Sequence, residues 1–211
     1  MSEGLKLDAV RITDGRQMVI EVDCTIAPGA VMTVMGPSGV GKSTLLAFVT
    51  GTLNRAFTAT GRVLLDGEDI TSLPPHRRHV GILYQDDILF PHMSVGQNLA
   101  FGMERGGKRA DRWATVVAAL SEIGLEGFAH RDPATLSGGQ AARGQLLRVL
   151  LSQPRALLLD EAFSRLDTNR RTQIRTLVFN MARDRNLPVL MVTHDAEDAR
   201  AAGGHIITLG E

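Results

Sequence analysis

The chain has 211 residues, 44% hydrophobic and 22% charged, enough for one domain with a sizeable core. Its 23 basic and 23 acidic residues cancel, so no basic footprint marks it as a general binder of nucleic acid or anionic membrane. The one cysteine, Cys24, excludes a disulfide within the chain, suits a reducing compartment and reads as a small buried apolar residue.

Met1 to Val10 has neither an apolar core nor a basic flank and does not read as a signal peptide. No apolar run approaches the roughly 20 residues that span a bilayer. Leu5 to Ile12 and Met18 to Ile26 alternate apolar and polar residues, which predicts antiparallel strands. Ala30 to Met35 is a short apolar run ending at a glycine, as expected of a buried strand feeding a tight turn. Lys42 to Thr50 reads as a helix, and Gly61 to Ile70 as a hairpin turning at Asp66-Gly67. Pro74-Pro75 and the basic cluster His76 to His79 predict a solvated loop before a strand at Val80 to Tyr84.

From about Asp86 to Leu151 the pattern changes to helical periodicity, clearest over Arg109 to Ile123. Ala156 to Asp160 returns to a buried strand. Helices at Thr168 to Arg185 and Ala196 to Ala202 flank a strand at Pro188 to Thr193, and Ile206 to Leu209 forms a last one. The β–α alternation predicts an α/β fold around a parallel sheet, with a helical lobe inserted.

Three segments carry chemistry. Gly36-Pro37-Ser38-Gly39-Val40-Gly41-Lys42-Ser43-Thr44 matches the phosphate-binding pattern G-x-x-x-x-G-K-[ST]. Glycines let backbone N–H groups turn toward phosphate oxygens, and the following helix adds its positive end. Lys42 places a point charge on the β- and γ-phosphates, and Ser43 offers a hydroxyl to Mg²⁺. Leu157 to Glu161 reads LLLDE, an apolar strand that ends in a Mg²⁺-binding carboxylate, Asp160. Glu161 stands one step further, placed to act as general base on the attacking water. Leu136-Ser137-Gly138-Gly139-Gln140 begins a helix and offers a second anion site. One chain does not need two phosphate sites for one ATP, so the second predicts a head-to-tail dimer closing over the partner's nucleotide.

With these motifs in this order, the chain resembles the ATP-binding subunits of ABC transporters over nearly all its length. The resemblance implies a P-loop NTPase with a mainly parallel sheet core, an N-terminal antiparallel β subdomain and an inserted α-helical lobe. It implies one domain over 1–211, with core at 1–85 and 152–211, lobe at about 86–151 and no C-terminal regulatory domain. It further implies that Gln85 contacts Mg²⁺ and the attacking water and senses a membrane subunit. By the same resemblance, His194 contacts the γ-phosphate and Asp167, in the segment SRLD, bridges the dimer. The implied cofactors are ATP and Mg²⁺. The implied partners are a second copy, integral membrane permease subunits and an extracytoplasmic solute-binding protein, at the cytoplasmic face of the membrane.

The sequence departs from the family in three places. No aromatic residue precedes Phe48, so the usual base-stacking ring is missing, and Arg11, Thr13 or Arg16 is expected near that place, with weaker discrimination among bases. Ala141-Ala142-Arg143 follows the second anion site with one basic residue fewer than usual, and Ala162 replaces the usual proline. The segment Asp86 to Val95 (DDILFPHMSV) resembles bacterial importers of the thiamine, polyamine, ferric iron and molybdate group. Its Leu89, Phe90 and His92 are read either as contacts for a coupling helix of the membrane subunit or, for the first two, as core of the lobe. An exporter motor, a soluble ATPase acting on nucleic acid or ribosomes, and a non-hydrolysing homologue are the alternatives. Zero net charge and the absence of a coiled-coil insertion or second cassette weigh against the soluble ATPase. Intact Lys42, Asp160, Glu161 and His194 weigh against the homologue without hydrolysis.

Overall fold

The computed structural model describes residues 3–15, 17–86 and 89–209. Two sheets organise it. In the first, β1 (Leu5–Asp14), β2 (Gln17–Ile26), β4 (Phe57–Leu65) and β5 (Glu68–Asp69) run antiparallel in the order β2-β1-β4-β5. Their alternation buries Leu5, Leu7, Val10 and Ile12 of β1 completely, while the residues between face outward. Asp66 and Gly67 both take positive φ at the hairpin turn, as a two-residue connection requires. The strand before that turn is longer than the sequence predicts, starting at Phe57 rather than Gly61.

The second sheet has five strands in the order β6-β7-β8-β3-β9. These are β3 (Val31–Met35), β6 (Val80–Tyr84), β7 (Ala156–Asp160), β8 (Val189–Thr193) and β9 (His205–Thr208). The pairs β7/β8, β8/β3 and β3/β9 are parallel. Because β3, β7 and β8 are buried on both faces they read as continuous apolar runs. Parallel neighbours end together, so the residues after Met35, Asp160 and Thr193 emerge at one edge of the sheet.

The chain divides into two compact units, 1–82 with 155–161 and 179–211, and 83–154 with 162–178. In the first, α1 (Lys42–Thr50) follows β3, and both its ends need glycine, with φ of 99° at Gly41 and 79° at Gly51. The helix ends on a buried arginine. Arg78, 5% exposed, donates to the carbonyls of Phe48 and Val49 at 2.8 and 2.9 Å, and to those of Thr71 and Leu73. Burial pushes its pKa below the usual arginine value. A Cβ on Gly51 would lie 2.6 Å from this guanidinium, a second reason for glycine there. The sequence expectation of a solvated basic loop therefore holds for His76, Arg77 and His79, which are exposed, and fails for Arg78. Cys24 is half-buried against the core rather than fully enclosed, and burial pushes its thiol up to about 11.

The second unit is helical, with α2 (Val95–Gly102), α3 (Arg109–Glu122) and α4 (Gly138–Leu150). α2 and α4 each start with a capping box, Ser94 with Gln97 and Ser137 with Gln140. Asn98, fully buried, accepts from the Phe90 amide at 2.7 Å and donates to the Phe90, Met93 and Ser94 carbonyls, which fixes the segment before α2. The remaining helices are α5 (Thr168–Asp184) and α6 (Ala196–Ala202).

Arg78→Met should lower stability by about 3 kcal/mol, because it leaves helix-end carbonyls buried without a charged donor. Urea unfolding of the purified chain measures this, and a loss under 1 kcal/mol would contradict the capping role.

Candidate functional site

The loop between β3 and α1 folds tightly because β2 backs it. A Cβ on Gly41 would lie 2.6 Å from Val19 Cγ1, so only glycine fits where the loop meets β2. Gly39 also takes positive φ, at 85°. Lys42 is 4% exposed, and its Nζ donates to the carbonyls of Gly36 and Pro37 at 2.7 and 2.8 Å. Its charge is partly balanced by the Glu161 carboxylate 3.7 Å away. Pro37, Ser38 and Ser43 are exposed, and Val40 and Thr44 half-buried.

The two neighbouring strands deliver the acidic and imidazole groups. Asp160 ends β7, and its Oδ1 accepts from the Ser43 hydroxyl at 3.1 Å. Burial raises its pKa above the usual carboxylate range, against the Ser43 hydrogen bond, which lowers it. Glu161 follows at φ 48°, a left-handed conformation uncommon for a non-glycine residue, while its amide still pairs with Val192 of β8. That turn aims its carboxylate between Lys42 and His194, whose Nδ1 lies 3.1 Å from the other oxygen. His194 sits at the bend between β8 and α6. The next residue, Asp195, caps α6 by accepting from the Glu197 and Asp198 amides.

The predicted residues of the first unit thus converge, drawn from three strand ends. Ser43 and Asp160 offer two hard oxygen donors side by side, a set that suits Mg²⁺. Among the described residues no group of three His, Cys, Asp or Glu side chains gathers to hold a metal by itself.

Against the same loop lies a cavity of about 440 Å³, lined by Asp14, Gln17, Met18, Val19, Val40 and Phe57 among others. Sequence reasoning did not find it. Arg11, expected near the base, is instead bonded to Glu21 at 2.7 Å, and Thr13 bonds the Thr58 carbonyl. Arg16 lies outside the described residues. Phe57 follows the phosphate loop in sequence, and only its pairing with Asp14 across β1 and β4 brings it here.

The second unit holds the other predicted motif. Ser137 caps α4: its Oγ accepts from the Gln140 amide at 3.4 Å, while Gln140 Oε1 accepts from the Ser137 amide at 2.9 Å. Gly138 is exposed, and Leu136 and Gly139 are half-buried. A cavity of about 210 Å³ opens here, lined by Ser137, Gly139, Gln140, Arg143, Arg170 and Gln173. Arg143 and Arg170 make it cationic. Asp167 accepts from the Arg170 amide at 3.1 Å and pairs with its guanidinium at 3.2 Å. Gln85 is exposed just past β6.

In the segment after Gln85, Leu89 and Phe90 are half-buried and His92 is exposed, while Asp87 and Ile88 lie outside the described residues. The Phe90 ring meets Phe101 edge-on at 5.1 Å. Phe101, which the sequence did not single out, is 63% exposed and lines a groove with His92, Met93, Gln97 and Ala100.

A family model described as ABC transporter matches residues 19–164. The "uncharacterized ABC transporter ATP-binding protein YnjD" of Escherichia coli strain K12 is 47% identical over 193 residues, which cover 92% of this chain and 88% of that protein. The chain belongs to the ABC transporter ATP-binding family. Members of this family bind and hydrolyse ATP. Two further relatives of the family are longer. The spermidine/putrescine import ATP-binding protein PotA of Shigella boydii is 38% identical over 199 residues, covering 94% of this chain and 52% of PotA. The Fe(3+) ions import ATP-binding protein FbpC of Agrobacterium fabrum is 39% identical over 204 residues, covering 96% and 57%. The chain therefore spans little more than half the length of these two. No helix among the described residues is long and apolar enough to cross a membrane.

The folded Asp160 carboxyl holds its proton more tightly than in the unfolded chain, so its contribution to stability is most favourable at low pH and declines as pH rises through the folded pKa. At neutral pH Asp160→Asn should raise the Tm of the nucleotide-free chain, by about 2–4 °C per kcal/mol of burial cost removed. The same variant should lose the extra stabilisation that Mg²⁺ adds to ATP. Differential scanning calorimetry with and without Mg-ATP checks both.

Proposed function

We propose that the chain is the ATP-hydrolysing motor of an ABC importer, working as a head-to-tail dimer on a separate membrane permease. The convergence of Lys42, Ser43, Asp160, Glu161 and His194 at one sheet edge carries this reading.

Lys42 exchanges its contacts with the Gly36 and Pro37 carbonyls for the β- and γ-phosphate oxygens, while the loop amides 38–43 and the start of α1 face the same charge. Ser43 and Asp160 would hold Mg²⁺, which when bound would neutralise charge developing on the phosphates. Glu161 takes a proton from the attacking water on a carboxylate oxygen. His194, whose Nδ1 lies 3.1 Å from the other oxygen, presents an imidazole N–H to the γ-phosphate. The pair is a base with an orienting partner, the arrangement general base catalysis requires.

One nucleotide needs one phosphate loop. The cationic cavity at the start of α4 is therefore assigned to the partner's ATP, with Ser137, Gly138 and Gly139 presenting hydroxyl and amide donors. Leu136 and Gln140 shape that helix start, and Asp167 at the start of α5 meets the partner chain. The groove beside Phe101 and His92 receives a coupling helix of the permease, an amphipathic helix in an apolar groove. The import names of PotA and FbpC support the direction. The chain then works at the cytoplasmic membrane face through the permease, with an extracytoplasmic solute-binding protein delivering cargo, and the reaction is ATP hydrolysis coupled to translocation.

Glu161→Gln tests the core of the proposal. ATP binding should persist within about threefold, turnover should fall by about 10²–10⁴-fold, and ATP should drive dimerisation visible by sedimentation. Wild-type turnover in this variant would overturn the assignment of the base.

A further inference from the structure

The cavity beside the phosphate loop has walls that the first-sheet register builds. Gln17 and Phe57 both pair with Asp14, so the three stand in a row across the ends of β2, β1 and β4. The β2 pairing is irregular at this point. Ile20 faces Ile12 and Met18 faces Thr13, which leaves Val19 as an extra residue on β2. Alternation from the buried Ile20 and Val22 would turn Met18 into the core. Instead Met18 is 49% exposed and lines the cavity, and Val19 packs against the phosphate loop. Bulges that re-aim side chains in this way gather beside functional sites.

The cavity therefore offers a thioether and an aromatic ring beside a loop that holds phosphates. Both suit a flat, polarizable heterocycle, and neither reads its edge. The polar side chains on its rim, Asp14 and Gln17, are exposed. A carboxylate accepts from the exocyclic amine of adenine or guanine alike, and an amide presents either a donor or an acceptor. Large discrimination between close analogues needs a buried polar group that the wrong ligand leaves unpaired. Among the described lining residues no polar side chain is buried.

We propose that Phe57 and Met18 hold the base of the nucleotide, and that the site takes ATP and GTP with less than tenfold preference between them. This rests on the phosphate-loop reading given above and adds the specificity of the same site.

The test is calorimetric titration of the purified full chain with Mg-ATP, Mg-GTP and inorganic tripolyphosphate. ATP and GTP should bind with dissociation constants within tenfold of each other. Phe57→Leu and Met18→Ala should each weaken both nucleotides by about three- to tenfold and leave tripolyphosphate binding unchanged. Met18→Tyr should tighten both nucleotides, a gain that a damaged fold does not produce. A preference of tenfold or more between ATP and GTP overturns the proposal. So do Phe57 and Met18 variants with unchanged nucleotide affinity, or variants that lose tripolyphosphate equally. If the wild-type chain binds neither tripolyphosphate nor nucleotide, the functional proposal itself falls.

Discussion

A lysine ammonium that is 4% exposed has almost no water to stabilise it, and the nucleotide end of the molecule is arranged around that constraint. Two loop carbonyls and one carboxylate stand in for the missing solvent. The carbonyls are available because Gly39 and Gly41 let the loop curl back, and Val19 leaves no room for a side chain at position 41. The carboxylate is available because Glu161 accepts an uncommon backbone conformation at the end of β7. Such strain is stored where the surrounding structure over-determines it, here by the hydrogen bond from the Glu161 amide to the Val192 carbonyl and the contacts to Lys42 and His194.

The same arrangement explains why the parallel sheet matters. Lys42, Glu161 and His194 lie far apart in sequence and are brought together because β3, β8 and β7 are adjacent and end at the same edge. On the proposed reading, a triphosphate entering this edge meets a cation already stripped of water, so the exchange of carbonyl for phosphate oxygens costs little reorganisation. The raised Asp160 carboxyl belongs to the same logic. A half-buried acid whose charge is costly without a cation favours the state in which one is present.

Much of this was legible from residues alone. The strand bounds at Val80–Tyr84 and Ala156–Asp160 and the helices Lys42–Thr50 and Ala196–Ala202 follow from runs that are locally unambiguous: apolar residues closed by glycine, proline or a capping side chain. The phosphate loop, the carboxylates and the helix start at Ser137 were readable because their chemistry constrains adjacent residues. What was not readable depends on residues distant in the chain. Arg78 looks like one charge in a basic loop until the carbonyls of Phe48 and Val49 arrive from α1. Phe57 lies ahead of the hairpin the sequence predicts, and Met18 looks like an inward-facing apolar residue. The pairing with Asp14 and the bulge at Val19 place them beside the loop, and neither can be read from alternation.

On the proposed reading one chain carries the beginning of two different sites: the buried cation and carboxylates of one, and the cationic start of α4 of another. The most direct measurement mixes two disabled variants, Lys42→Ala and Ser137→Arg, and follows ATP turnover. Each alone should be inactive, and the mixture should regain turnover, because one of the two sites in a mixed dimer then combines an intact Lys42 with an intact Ser137. Full turnover by Ser137→Arg alone, or a mixture of folded variants that stays as inactive as its parts, would contradict a site shared between chains.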